Sequence, residues 1–306
     1  MNAQDSSDLR PRTVPLPSGH VVGFWDLGPV DGIPLLFFHG TPASRVNWRF
    51  LQADDALYAR GVRVLAIDRP GIGATPLRPW QPHRDGAQDV VRLLDALGIE
   101  QASILAHSGG GPHALACAVE LPDRLYAVGL AAGSPPRFDT ALGEGTNPDS
   151  LRFLKMCAER PRQARAMLRV MGSMVRLAPG RMVEQAVRSL PPADRAVMDD
   201  PAMRRAFIEM LLTTLTQGPK GAQQDGAGMY GPWELPLESI KVPVYLWYGD
   251  EDRNVSPAVG TYFGDRIPGS RLEIVPGEGH LSILQRLAGR FLEALVPAQP
   301  AHHVKT

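Results

Sequence analysis

Across residues 14–134, short apolar runs alternate with helical patterns, and that alternation leaves few folds open. Strands joined by crossover helices lie parallel in one sheet with helices packed on its faces. Residues 20–27, 33–38, 62–67, 102–106 and 125–132 read as strands. Between the third and fourth of them, residues 85–97 read as a helix, with Val90, Val91, Leu93, Leu94 and Leu97 on one face and Gly98 as its stop signal. The alternation ends at Pro135. From there to residue 233 the text is helical, in stretches 150–159, 161–177, 182–189 and 201–215, before strand patterns return at 242–248 and 271–275 and a closing amphipathic helix spans 281–295. The expected organisation is an α/β core of residues 1–134 and 235–296, a helical cap of residues 135–234, and a disordered tail from 297 to 306.

Composition narrows the partners. Lysine plus arginine equals aspartate plus glutamate at 32 each, which gives no electrostatic case for nucleic acid, an anionic membrane or a polyanionic substrate. A neutral small molecule fits best. The amino terminus has no apolar segment of the secretory kind, and no run approaches the ~18 apolar residues of a membrane span, so the expectation is a soluble cytoplasmic protein without membrane insertion. Cys117 and Cys157, the only cysteines, sit far apart in apolar helical text and read as reduced and structural. No metal site and no cofactor are expected. Nine of the ten methionines fall in the helical insertion, where a soft side chain adapts to irregular apolar ligands. Most read as core between the helices, with a subset lining a pocket.

Ala106-His107-Ser108-Gly109-Gly110 joins the strand at 102–106 to a helix beginning near Pro112. A serine on such a hinge needs small residues two before and two after it, because the turn strains its backbone. Ala106 and Gly110 meet that need. A serine hydroxyl is a weak nucleophile at neutral pH and requires an imidazole as base, itself oriented by a carboxylate. His280, in Gly277-Glu278-Gly279-His280 after the last strand, is the candidate base. His107 is expected to point away from the nucleophile by strand alternation, and His113 lies inside the following helix. Three acids, Asp250, Glu251 and Asp252, follow the strand ending at Gly249. An oxyanion needs two backbone donors: Gly109 supplies one, and Thr41, in His39-Gly40-Thr41-Pro42, is the candidate for the other. Gly40 permits close approach and His39 takes a supporting hydrogen-bond role. Trp48, Met171 and Met174 are candidate pocket walls.

These motifs, together with Asp68-Arg69-Pro70-Gly71-Ile72-Gly73, resemble the α/β-hydrolase fold family over nearly the whole chain. The resemblance implies an eight-stranded, mostly parallel sheet, a helical cap between the sixth and seventh strands, and the chain order serine, acid, histidine. It places the acid at Asp252, three beyond the strand-ending glycine, since the alternative position after the strand near Ala132 holds no acid. It also implies a structural turn, without a catalytic part, at Asp68-Arg69-Pro70-Gly71. Ala106, where the family has glycine, is the one departure.

Serine rather than aspartate at the elbow argues against dehalogenase or epoxide hydrolase chemistry and for acyl transfer. A carboxylic ester or lactone hydrolase is the leading expectation. The enzymatic alternatives are a C–C bond hydrolase and a proline iminopeptidase-like amide hydrolase, which needs a carboxylate in the cap for the substrate ammonium. A ligand-binding receptor or scaffold of the same fold is the non-enzyme alternative.

Overall fold

The structure, a computed structural model, describes residues 10–79, 83–138 and 141–297. Its eight strands are β1 (Arg12–Pro15), β2 (Val21–Leu27), β3 (Ile33–Phe38), β4 (Val62–Ile67), β5 (Ala102–His107), β6 (Leu125–Ala131), β7 (Val244–Gly249) and β8 (Arg271–Val275). They form one sheet in the order β1-β2-β4-β3-β5-β6-β7-β8. The first two strands pair antiparallel at one edge, and the remaining six run parallel. Every residue of β4 and β5 is buried, so both are covered on two faces and read as near-continuous apolar text. β1 escapes the sequence reading because three of its four residues are exposed and it carries no apolar face.

Three helices, α1 (Asp54–Arg60), α2 (His83–Ala96) and α3 (Gly111–Glu120), alternate with the strands. Six follow β6: α4 (Pro148–Glu159), α5 (Pro161–Leu177), α6 (Pro179–Arg188), α7 (Pro192–Asp199), α8 (Pro201–Thr214) and α9 (Pro219–Tyr230). Then α10 (Pro257–Arg266) and α11 (Ser282–Leu295) return with the last strands. The period of two divides the core cleanly. Leu36 and Phe38 of β3 face α2, α3 and α10, whereas Leu35 and Phe37 face α1 and α11.

The insertion fits a cap, yet two of its helices, α7 and α9, are absent from the sequence reading. Both are poor helical text: α7 has eight residues, and α9 contains Gly221, Gly226 and Gly228. The glycines of α9 serve contact instead. A Cβ on Gly221 would meet the Gly71 carbonyl oxygen at 2.1 Å, and one on Gly226 would meet Cys157 Sγ at 2.8 Å. Backbone thus lies on backbone where the insertion meets the turn after β4. Residues 298–306, read as tail, lie outside the described residues.

Candidate active site

Ser108 follows β5 directly and has φ of +50°, a left-handed conformation that costs a non-glycine residue about 1–3 kcal/mol. Crowding enforces the turn. A Cβ on Gly110 would meet the Phe38 carbonyl oxygen at 2.4 Å, so the chain passes the end of β3 with no room for a side chain. Ala106 is fully buried between β3 and β6, and its one methyl group is accommodated there.

Of the three acids after β7, Asp252 meets His280: its Oδ2 lies 2.7 Å from His280 Nδ1. Its Oδ1 accepts from the backbone N–H groups of Asn254 (2.7 Å) and Val255 (2.9 Å), which fixes the carboxylate. Asp250 instead accepts from Gly277 N–H and ties the two loops together. A second carboxylate, unread in the sequence, reaches the same loop from α7. Asp194 accepts from the backbone N–H of His280 (2.9 Å), Leu281 (2.8 Å) and Ser282 (2.9 Å). Gly279 makes the space, since a Cβ there would sit 2.5 Å from Asp194 Oδ1. Burial pushes the Asp194 pKa up, against those N–H groups, which favour the ionised form. Burial alone would lower the His280 pKa; the charge and hydrogen bond of Asp252 and the charge of Asp194 outweigh it and hold the pKa above the ordinary histidine value.

Across Ser108, the loop carrying Thr41 is gripped by Arg69. Its guanidinium donates to the carbonyls of His39 (2.5 Å) and Gly40 (2.7 Å) and to Thr41 Oγ1 (2.9 Å). The same group makes a forked pair with Asp225 of α9, at 2.6 and 2.8 Å, and Thr41 Oγ1 donates to Asp225 at 2.6 Å. Burial would raise the Asp225 pKa, but Arg69 outweighs it and the carboxyl titrates below its ordinary value. His39 is fully buried, and its Nδ1 lies 2.8 Å from Gly40 O while its Nε2 accepts from Arg69 N–H. Burial and Arg69 push its pKa down to about 3, so the ring stays neutral as a spacer. An ideal Cβ on Gly109 would fall 2.2 Å from Thr41 Oγ1 and 3.1 Å from Thr41 N, which puts the two candidate donor residues side by side.

The pattern of the alpha/beta hydrolase family matches residues 35–294. The chain belongs to the α/β-hydrolase family. A 2-hydroxy-6-oxononadienedioate/2-hydroxy-6-oxononatrienedioate hydrolase of Paraburkholderia phymatum is 26% identical over 270 residues, 86% of this chain and 85% of that protein. A magnesium-chelatase 30 kDa subunit of Rhodobacter capsulatus is 29% identical over 272 residues, 85% of each. Among solved structures, an α/β-hydrolase fold protein from Nakamurella multipartita is similar with a TM-score of 0.68 and 26% identity, covering 94% of this chain and 99% of that one. No helix among the described residues of this α/β-hydrolase is long and apolar enough to cross a membrane.

In this α/β-hydrolase, Ser108, His280, Gly109, Gly40 and Thr41 line one cavity of about 220 Å³. A slightly larger cavity, about 250 Å³, lies beyond the Arg69–Asp225 pair against His83 and His113 and is lined by neither Ser108 nor His280. The candidate residues Ser108 and His280 therefore face the smaller one. The expected pocket walls need correction. Trp48 is 1% exposed, edge-on to Phe37 with ring centroids 5.3 Å apart, and donates to Asp54; it packs under the sheet. Its neighbour Asn47 reaches the cavity instead, accepting from Gly40 N–H at 3.0 Å. Met171 packs against Leu168 and Leu215, and Met174 is 42% exposed, because α5 lies outside α8 and α9. Met210 and Met229, on those inner helices, line the cavity. His107 also differs from expectation. As the last residue of β5 its side chain folds over the sheet edge into the cavity wall, with Nε2 3.0 Å from the His280 carbonyl oxygen and Nδ1 3.0 Å from Asn47 Oδ1. Burial pushes its pKa far down, and a neutral ring donates to only one of those acceptors.

Proposed function

We propose that this chain is a serine hydrolase of small, uncharged carboxylic esters or lactones. Ser108 attacks the carbonyl, His280 takes its proton and returns it to the leaving alcohol, and Asp252 orients the ring and stabilises the imidazolium. Water then attacks the acyl-enzyme by the reverse proton route. The backbone N–H groups of Thr41 and Gly109 receive the oxyanion at each step. The insertion acts as a lid over Ser108.

The observation that carries this reading is the cavity wall: among the described residues, its lining includes no aspartate, glutamate, lysine or arginine. A buried unpaired charge is costly, and among the described residues of the wall a substrate carboxylate or ammonium meets no acidic or basic side chain of Asp, Glu, Lys or Arg. That disfavours a dianion such as the dienedioate in the relative's name, and equally the free amine of a proline iminopeptidase substrate. A volume of about 220 Å³ lies below the ~300–1,000 Å³ of common drug-sized ligand sites and favours short chains. Phe138, Leu154, Met210 and Met229 supply the apolar contact. Thr146 Oγ1, buried in the same wall without a hydrogen-bond partner among the described residues, offers one polar contact to a substrate oxygen. A fluorophosphonate probe tests the reading directly. Mass added at Ser108, with turnover of p-nitrophenyl acetate or butyrate above that of a dienedioate, supports it; a folded sample that takes no label defeats it.

A further inference from the structure

The six helices of the insertion send two carboxylates inward, one fully buried and one largely so, and each lands on a different loop beside Ser108. Asp194 of α7 is 0% exposed and takes three consecutive backbone N–H groups, beginning with that of His280 itself. Those donors open α11, whose dipole favours an anion at this end. Asp225 of α9 shares its two oxygens between Arg69 and the Thr41 hydroxyl. The Arg69 contact with Gly40 O has a geometric consequence. In a trans peptide the C=O of one residue and the N–H of the next point opposite ways, so drawing the Gly40 carbonyl towards Arg69 aims Thr41 N–H away from it, and the Thr41 nitrogen lies 3.1 Å from where a Cβ on Gly109 would stand.

We propose that Asp194 and Asp225 are positioning residues through which the insertion sets both halves of the catalytic centre, the His280 loop by the first and the Thr41 loop by the second. The inference rests on the serine-hydrolase reading of Ser108. Neither carboxylate lines the cavity, so neither touches substrate. The groups facing His280 are Asp252 after β7, Asp194 from α7, and the neutral His107 ring from β5, whose centroid is 4.7 Å from that of His280. Asp194 is therefore one of two anions that favour the imidazolium, and its removal alters the titration of the base as well as its place. Asp225 acts on the oxyanion side and leaves that titration alone.

The test uses the full chain with Asp194→Asn and Asp225→Asn, and Asp149→Asn as an exposed insertion control. Melting temperature, kcat and KM on a short p-nitrophenyl ester across pH, the imidazole titration of His280 by nitrogen NMR, and the Thr41 amide resonance are recorded. Asp194→Asn is expected to lower kcat by on the order of 10- to 100-fold, the range of a small misplacement, and to move both the acid limb and the His280 titration to lower pH. Asp225→Asn is expected to lower kcat to a similar degree with KM unchanged, to shift the Thr41 amide and to leave the acid limb in place. Asp225→Asn combined with Arg69→Met removes the uncompensated charge; melting temperature recovers and kcat does not. Where an asparagine variant fails to fold, Asp194→Glu or Asp225→Glu keeps the charge and misplaces it, and the same loss of kcat is expected. The inference is overturned by kcat within twofold of wild type in the folded variants, by an unmoved His280 titration in Asp194→Asn, or by full recovery of kcat in the double variant. Failure of wild type to label at Ser108 defeats the hydrolase reading instead, while the two NMR readouts still decide whether the aspartates position the loops.

Discussion

The two loops that flank Ser108 are held by similar hardware with different net charge. Around His280 stand two carboxylates, Asp252 on the ring and Asp194 on the backbone N–H, and together they hold its pKa up. Around Thr41 the inserted carboxylate, Asp225, is matched by the Arg69 guanidinium at 2.6 and 2.8 Å, with side chains only 7% and 9% exposed. In the proposed reaction a cation develops on the first side and an anion on the second. Net negative charge stands where the imidazolium forms, and the charge is cancelled where the oxyanion forms, so neither support opposes the chemistry it serves.

The sharpest way to break this contrast is Asp252→Asn. Removing the principal anion on the histidine side is expected to cost about 10⁴-fold in kcat with the fold intact, as for a mis-set tautomer; a loss below tenfold, or a greater loss in Asp250→Asn, would reassign the acid. Gly109→Ala attacks the other side, since its new methyl group collides with Thr41 Oγ1 at 2.2 Å. A drop of about 10²–10³-fold in kcat is expected, the worth of one oxyanion donor. The pH profile comes next. The base must be neutral, and its pKa is raised, so activity should fall as pH drops through a midpoint above the ordinary 6.5 of histidine. An acid limb below 6.5 would mean that burial wins over the two carboxylates. The smallest effect is at the half-exposed Met174, where Ala should leave KM unchanged while Met210→Ala raises it; the reverse result would restore the pocket first read from the sequence.

The serine hinge, the histidine loop and the three acids were legible because each is a short local spelling: small residues around a strained turn, glycines around a loop, carboxylates at a strand end. The parallel strands were legible because burial on both faces leaves unbroken apolar text. Asp194 and Asp225 were not, since their partners lie 86 and 156 residues away in the chain. The helices carrying them have short or glycine-rich text, and periodicity alone passes over them. A signal was present nonetheless. All six inserted helices begin at proline, namely Pro148, Pro161, Pro179, Pro192, Pro201 and Pro219, whose fixed φ suits the first helical position. Asn47 was missed by one residue because the segment Arg45–Leu51 is a 3-10 turn, which sends Trp48 under the sheet and Asn47 to the site.

The backbone contact between Gly71 and Gly221 bears on how such a protein diversifies. On the proposed reading, an insertion seated there by two bare glycines and tied by one acid to each loop beside Ser108 does not behave as an interchangeable cassette. A chimera carrying a relative's helices must reproduce the glycine at 221 and both acids to remain active, whereas Met210, Met229 and Thr146 are free to vary within the seated lid. Substrate range in this lineage is thus expected to drift by single exchanges on the inner wall, with the outer architecture inherited whole.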